Sequence, residues 1–361
     1  MSLSRTVAHL FKRLLARLGL VVIRRSTAKE IVAGHPWLGD RLGEPSARES
    51  MSESRPVTPG APTRSDPRLA ELRRRYAGHP ATSHSVWSPE NLTTELALER
   101  FREDNAYVWQ TRASNPIQYL LSALYVQAND PLALYPLLLE DGAFGAYTYQ
   151  HEGRAVSRDS LDSILEMSFL EDEIGLSALP QLTVLDIGAG YGRLAHRMAE
   201  SLPNLERYLC ADAVPESTFV SDFYTKFRGV DPKVTVVPLD EIADVLSGTR
   251  VDVALNIHSF SECSLASIEY WLDLVARAKT PWLFIVPNTG DRLISWEPDQ
   301  SRLSFAEAIQ SRGYELVVKR AKYHRSSDMQ RFGLFPSTYF LFRRADFYSS
   351  GSFGGRVRPH R

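Results

Sequence analysis

The order of apolar and polar positions divides the chain into a mainly helical first part and a strand-rich second part. Leu182, Thr183, Val184, Leu185 and Ile187 form a nearly continuous aliphatic and β-branched run. That is the pattern of a strand buried on both faces of a parallel sheet. Tyr208–Asp212, Lys233–Asp240, Val251–Ile257, Pro281–Asn288, Gly313–Lys319 and Ser337–Arg343 have strand character too. Arg193–Glu200 and Ser264–Leu274, between them, have helical spacing. Strand and helix alternate, which predicts an α/β fold: a Rossmann-like, seven-stranded, mostly parallel sheet with helices on both faces.

Upstream of the sheet the spacing is helical. Asp66-Pro67 fits a cap and a first turn. Asn91 or Thr93 is expected to cap a helix running through Phe101. Asn115-Pro116 opens a third helix and Asp130-Pro131 a fourth. Ser157 is expected at the N-cap of a helix through Glu166, with Arg158 and Asp159 at its start. The many aromatic residues here suit a core, although a few could wall a planar ligand. Residues 40–67 hold Pro45, Pro56, Pro59, Pro62 and Pro67 with little to bury, as a linker does. In residues 5–25, Val7, Leu10, Phe11, Leu14, Leu15, Leu18, Val21 and Val22 follow one helical stripe, with Lys12, Arg13 and Arg17 mostly off it. This basic amphipathic helix is too interrupted by charge to span a bilayer. It suits an anionic membrane surface or, equally, a protein face; a transit peptide is the third reading.

The β-strand at 182–187 breaks at Gly188-Ala189-Gly190-Tyr191-Gly192 and a helix follows. Strand, glycine turn and helix begin a nucleotide-binding βαβ unit, where a side chain would block approach of a ligand to the backbone. A dinucleotide fingerprint would place a third glycine at position 193, which is Arg. Asp186, just before the turn, would repel a pyrophosphate and suits a cationic ligand. Asp212 ends the next strand, 20 residues after Gly192, where a ribose-binding acid belongs. This combination resembles the class I S-adenosylmethionine-dependent methyltransferases; the bland alternative is a tight turn with a surface acid. In that class an acid at Asp240 lies beside the adenine amine, although a helix cap explains it as well. Arg158 and Asp159 could contact the donor's carboxylate or the substrate, or simply start a solvated helix.

Arg250–Cys263 is the second informative stretch. Its strand points Asn256, His258 and Ser259 at the carboxyl edge of the sheet, where ligands of doubly wound folds bind. Glu262, four residues after His258, could orient the imidazole. A hydroxyl must lose its proton as it attacks a sulfonium methyl, and His is suited to take it near neutral pH. His258 is therefore the expected general base, with Glu262 and Asn256 in support; a buried structural His is the alternative. No H-x-x-x-H pair or clustered aspartates have metal-ligand spacing, so no metal site is expected.

Further motifs carry a narrower likeness. Phe101–Arg112, Ser157–Ser163, Asp186–Arg197 and Asn256–Glu262 together resemble the bacterial sugar O-methyltransferase family over about Trp87–Arg343, with Cys263 standing where methionine is expected. The resemblance implies S-adenosyl-L-methionine as methyl donor and a sugar or glycan as acceptor. It also implies a sheet with one antiparallel edge. The expected organisation is a basic helix (1–30), a linker (31–66), a helical acceptor-binding cap (67–178), a Rossmann-like methyltransferase domain (179–345) and a loose tail (346–361). A cytoplasmic enzyme, peripheral on the inner membrane face, would fit an envelope acceptor.

Charge narrows this little. Net charge is −1, so no overall field points to nucleic acid. Residues 1–75 hold 15 Lys and Arg against 7 acids, leaving about −9 for the remainder. Cys210 and Cys263 are the only cysteines, and Cys210 falls in a buried strand, so a bridge is not expected. Three rivals stand: an NAD-type oxidoreductase, disfavoured by Arg193 and Asp186; a catalytically silent donor-binding subunit; and a methyltransferase acting on a lipid or another non-sugar molecule.

Overall fold

The computed structural model describes residues 60–82, 86–103, 108 and 116–350. The stripe at 5–25, most of the linker and nearly all of the tail lie outside the described residues. In chain order the helices and strands are α1 (Pro67–Tyr76), α2 (Pro89–Glu95), α3 (Pro116–Ala128), β1 (Tyr149–His151), β2 (Arg154–Val156) and α4 (Arg158–Ile174). There follow β3 (Leu182–Ile187), α5 (Arg193–Ser201), β4 (Leu205–Ala211), α6 (Pro215–Phe227), β5 (Val234–Val237), α7 (Ile242–Ser247) and β6 (Val253–His258). The last are α8 (Leu265–Arg277), β7 (Trp282–Pro287), α9 (Ala306–Gln310), β8 (Tyr314–Ala321), α10 (Ser327–Phe332) and β9 (Thr338–Arg344). All described residues fall in one compact unit, Pro56–Arg361.

Seven strands make one sheet in the order β5-β4-β3-β6-β7-β9-β8. β3 pairs in parallel with β4 and β6, and β6 with β7. β9 runs antiparallel to both its neighbours, β7 and β8. The fold is thus the expected Rossmann-like one, with the reversed strand one place inside the edge. Burial explains that place: Tyr339, Phe340, Leu341 and Phe342 of β9 are all buried, whereas β8 is largely exposed. The chain moves outward through β4 and β5 on one side of β3 and through β6 and β7 on the other. The crevice outside β3 and β6 is therefore the topological switch point.

Two upstream expectations are corrected. Asp130-Pro131 opens no helix, because Asp130 Oδ2 accepts the Tyr135 N–H at 2.6 Å and holds a turn instead. The helix expected from Asn91 is α2, capped by Ser88 with Pro89 in its first turn; it ends at Glu95, and Leu98–Arg100 form a 3₁₀ turn. Ser157 does cap α4, reciprocally with Ser160, and that helix is buried from Asp159 to Leu170. The β1–β2 hairpin has no counterpart in the sequence pattern.

Candidate functional site

A cavity of about 1220 Å³ opens at the switch point. Ligand pockets commonly measure about 300–1,000 Å³, so there is room for more than one small molecule. Its walls include Asp186, Gly188, Ala189, Gly190, Tyr191, Asp212, Arg158, His258 and Glu262 from the expected set. Gly192, Asp240 and Asn256 are not among the lining residues.

The glycine turn is built for close approach. Gly188 has φ +74°, and a Cβ there would overlap the Ser259 side chain. Gly188 N–H donates to Ala211 O at 2.8 Å, and Gly190 N–H to Asp212 Oδ2 at 3.0 Å, which ties the turn to the end of β4. Gly192 faces away from the cavity; it starts α5 with φ +84°, and a Cβ there would meet Ser221 Oγ.

Two buried carboxylates flank this turn. Asp186 accepts from Tyr208 OH at 2.8 Å, and burial pushes its carboxyl up to about 7. Asp212 accepts from Val214 N–H at 2.8 Å; burial outweighs these backbone bonds and raises it to about 6. Among the described residues neither has an ion-pair partner. Buried acids with raised pKa and no counter-ion suit a cationic or hydroxyl-bearing ligand.

His258 ends β6 at φ +71°, an uncommon backbone for a residue other than glycine. Its ring lies 5.1 Å from that of Phe335, over which the Arg158 guanidinium sits at 4.2 Å. Burial, with Arg158 and Arg193 beside it, drops the imidazole to about 3. The near-neutral basicity that recommended His258 is therefore absent. Arg158 also donates to Asp162 at 3.1 Å, and Lys322 holds the other oxygen of Asp162.

The expected supporting pair acts elsewhere. Asn256 is a clamp: Nδ2 donates to Ile187 O at 2.8 Å and Oδ1 accepts from Phe260 N–H at 3.0 Å, fixing the 3₁₀ turn Ser259–Glu262 against the end of β3. Glu262 does not orient the imidazole through a hydrogen bond. Its oxygens accept from Trp87 Nε1 at 2.7 Å and Asn288 Nδ2 at 2.8 Å. Asp240 is drawn outward by Arg75 of α1, at 2.9 and 2.7 Å. The Leu239 N–H beside it is taken by Tyr76 OH at 2.9 Å.

Sequence reasoning missed most of the rest of the lining. Trp87, Trp271, Trp296, Asn288, Thr289 and Arg302 all line the cavity. The Arg302 guanidinium lies 3.7 Å over the Trp296 ring. Two signals hinted at these residues: the ending of β7 at Asn288, and Trp87 among the aromatic residues that could wall a planar ligand.

No family model and no curated protein matches the chain, so the family resemblance rests on its motif residues alone. Among solved structures, the chain is similar to the [4+2]-cyclase SpnF (14% identity, 63% of this chain and 95% of that one, TM-score 0.38). It is also similar to magnesium protoporphyrin IX methyltransferase from Synechocystis with bound S-adenosylmethionine (14%, 62% and 97%, TM-score 0.37). A third is an S-adenosylmethionine-dependent methyltransferase from Aquifex aeolicus (18%, 50% and 98%, TM-score 0.34). Likenesses of this degree say nothing of activity.

Proposed function

We propose that this protein is an S-adenosyl-L-methionine-dependent O-methyltransferase that moves a methyl group to a hydroxyl of a sugar or glycan. The observation that carries the reading is the glycine turn at the switch point, opening on a cavity between two buried carboxylates that pair with no cation among the described residues. Gly188 leaves no room for a side chain, as a backbone cradle requires. When bound, the donor supplies an electrophilic methyl carbon and a thioether leaving group.

This chain's residues then have distinct tasks. Asp186 and the 188–191 turn receive the positively charged methionine portion, and Asp212 accepts from the ribose hydroxyls. Arg158 offers its guanidinium to the donor's carboxylate. His258, neutral at pH 7, has an imidazole N–H available to donate to the acceptor oxygen and hold it in line. The indole faces and polar groups of Trp87, Trp296, Asn288 and Arg302 suit a hydroxylated ring.

Calorimetry with S-adenosylhomocysteine tests the donor half: heat of binding is expected, and none from folded protein would end the reading. Radiolabelled methyl transfer to a panel of methyl glycosides tests the acceptor half. Contact of residues 5–25 with the inner membrane face belongs to the same proposal, and cosedimentation of the full chain with anionic vesicles checks it. Among the described residues no helix is long and apolar enough to cross a membrane.

A further inference from the structure

The cavity holds a second candidate for the proton transfer. Glu262 closes the 3₁₀ turn that follows β6, three residues after Ser259, whose side chain abuts Gly188 of the donor turn. Both carboxylate oxygens are fixed, each by one neutral N–H: Trp87 Nε1 on Oε2 and Asn288 Nδ2 on Oε1. A carboxylate oxygen carries two acceptor lone pairs, so each has one left. Among the described residues no cation pairs with Glu262. The charged group that bears on it is Asp212, just past β4; Arg302, which also lines the cavity, has its NH1 committed to Ser261 O and Ser295 O at 3.1 and 3.2 Å. Glu297, across the same loop, is occupied by the Leu265 N–H at 2.8 Å. The main chain reinforces the placement, since Val86 N–H donates to Glu262 O at 3.1 Å.

His258 has the opposite surroundings. It shares its corner with Arg158, Arg193 and Lys322, offset by Asp162. A proton arriving there adds a cation among cations.

We propose that Glu262, and not His258, takes the proton from the acceptor hydroxyl, a claim that rests on the methyltransferase reading above. The acceptor oxygen forms its bond to the methyl carbon as the carbon–sulfur bond breaks. The sulfur keeps that electron pair and becomes a neutral thioether. The hydroxyl proton passes to the Glu262 carboxylate, and the resulting neutral acid returns it to solvent through the open cavity. Burial, which raises the Glu262 carboxyl to about 7, also suits it to a base working near neutral pH.

Two measurements decide the point. The first is a pH titration of tryptophan fluorescence in the full chain, taking the wild-type signal minus that of Trp87→Phe. A midpoint near 7 is expected, lost in Glu262→Gln and kept in His258→Asn, where Asn tolerates the positive φ. A midpoint below 5, or one that survives in Glu262→Gln, overturns the proposal. The second is methyl transfer to those methyl glycosides that turn over, from pH 5.5 to 9. The wild-type rate should rise through an apparent pKa near 7. Glu262→Gln should lose that limb and about 10²–10⁴-fold in rate while still binding S-adenosylhomocysteine; in His258→Asn the limb should stay near 7. Loss of the limb in His258→Asn with its retention in Glu262→Gln overturns the proposal. Failure of S-adenosylhomocysteine to bind the wild type overturns the methyltransferase reading instead.

Discussion

Asp186 shows most directly how a residue gives up stability for a site. Its carboxyl is buried with one hydrogen bond, from Tyr208, and among the described residues it pairs with no cation; burial outweighs the nearby Arg193 charge, so its pKa of about 7 stands well above the ordinary carboxylate value. Between about pH 4 and 7 the folded state keeps a proton that the unfolded chain has lost. The contribution of Asp186 to stability therefore falls as pH rises through that window and is flat above it. Asp186→Asn removes the titration and keeps an oxygen for Tyr208. The variant should be more stable than wild type by about 1–3 kcal/mol at pH 8 and nearly equal to it at pH 4, read from urea denaturation of ligand-free protein. Its affinity for S-adenosylhomocysteine, whose ammonium the carboxylate would face, should fall about tenfold or more, ~1.4 kcal/mol, read by calorimetry at pH 8. Unchanged affinity would remove Asp186 from the donor site.

Among the elements, the parallel strands and the glycine turn were the legible part, because near-continuous apolar runs and a break at Gly188 are local signals. The site edge was legible only in outline. A polar residue at the end of a buried strand signals that the strand has reached the carboxyl edge, and Asn256 does lie there. Whether it faces ligand or backbone depends on Ile187 and Phe260, which spacing does not reveal. Glu262 was placed beside His258 by a four-residue interval, but a 3₁₀ turn does not stack such positions as an α-helix does. Its true partners come from Trp87 and Asn288. Asp240 was read by analogy, and Arg75, 165 positions away, takes it. The clamp role of Asn256 has a measurable consequence. Asn256→Ala leaves Ile187 C=O and Phe260 N–H buried without those partners, at a cost of about 2–4 kcal/mol. It should also loosen the turn that carries Ser259 and Glu262. Urea denaturation gives the first quantity, and weaker binding of S-adenosylhomocysteine reports the second. A variant as stable as wild type would show that the clamp is dispensable.

For the whole molecule, the region before the sheet is joined to it by buried charge as well as by apolar packing. Glu140, in the loop before β1, accepts from Arg102 at 2.7 and 3.2 Å, from Arg197 of α5 at 3.2 Å and from Ser157 Oγ at 2.7 Å. Arg102 and Arg197 are each about 1–2% exposed, so this carboxylate offsets much of the cost of burying their charges, with Asp159 3.6 Å from Arg102 and Glu200 3.3 Å from Arg197 as further partners. The network continues to the site: Arg102 Nε donates to Tyr191 OH at 3.3 Å, and Tyr191 OH donates to Asp159 at the start of α4. Tyr191 belongs to the glycine turn, so a residue from the leading segment buttresses that turn. Burial alone would raise the Glu140 carboxyl, but Arg102, Arg197 and Ser157 outweigh it and hold it at about 2. Its stabilising contribution is thus present above the ordinary carboxylate range and is lost as pH falls toward 2. Glu140→Gln removes the charge at nearly constant volume and leaves Arg102 with Asp159, and Arg197 with Glu200, as their remaining carboxylates. Breaking a buried pair in this way costs about 3–5 kcal/mol, to be read at pH 7 by chemical denaturation, and the loss relative to wild type should shrink toward pH 2. Because the network reaches Tyr191, the folded variant should also bind S-adenosylhomocysteine more weakly, although residue 140 lines no part of the cavity. Wild-type affinity in a destabilised variant would confine the network to holding the two regions together.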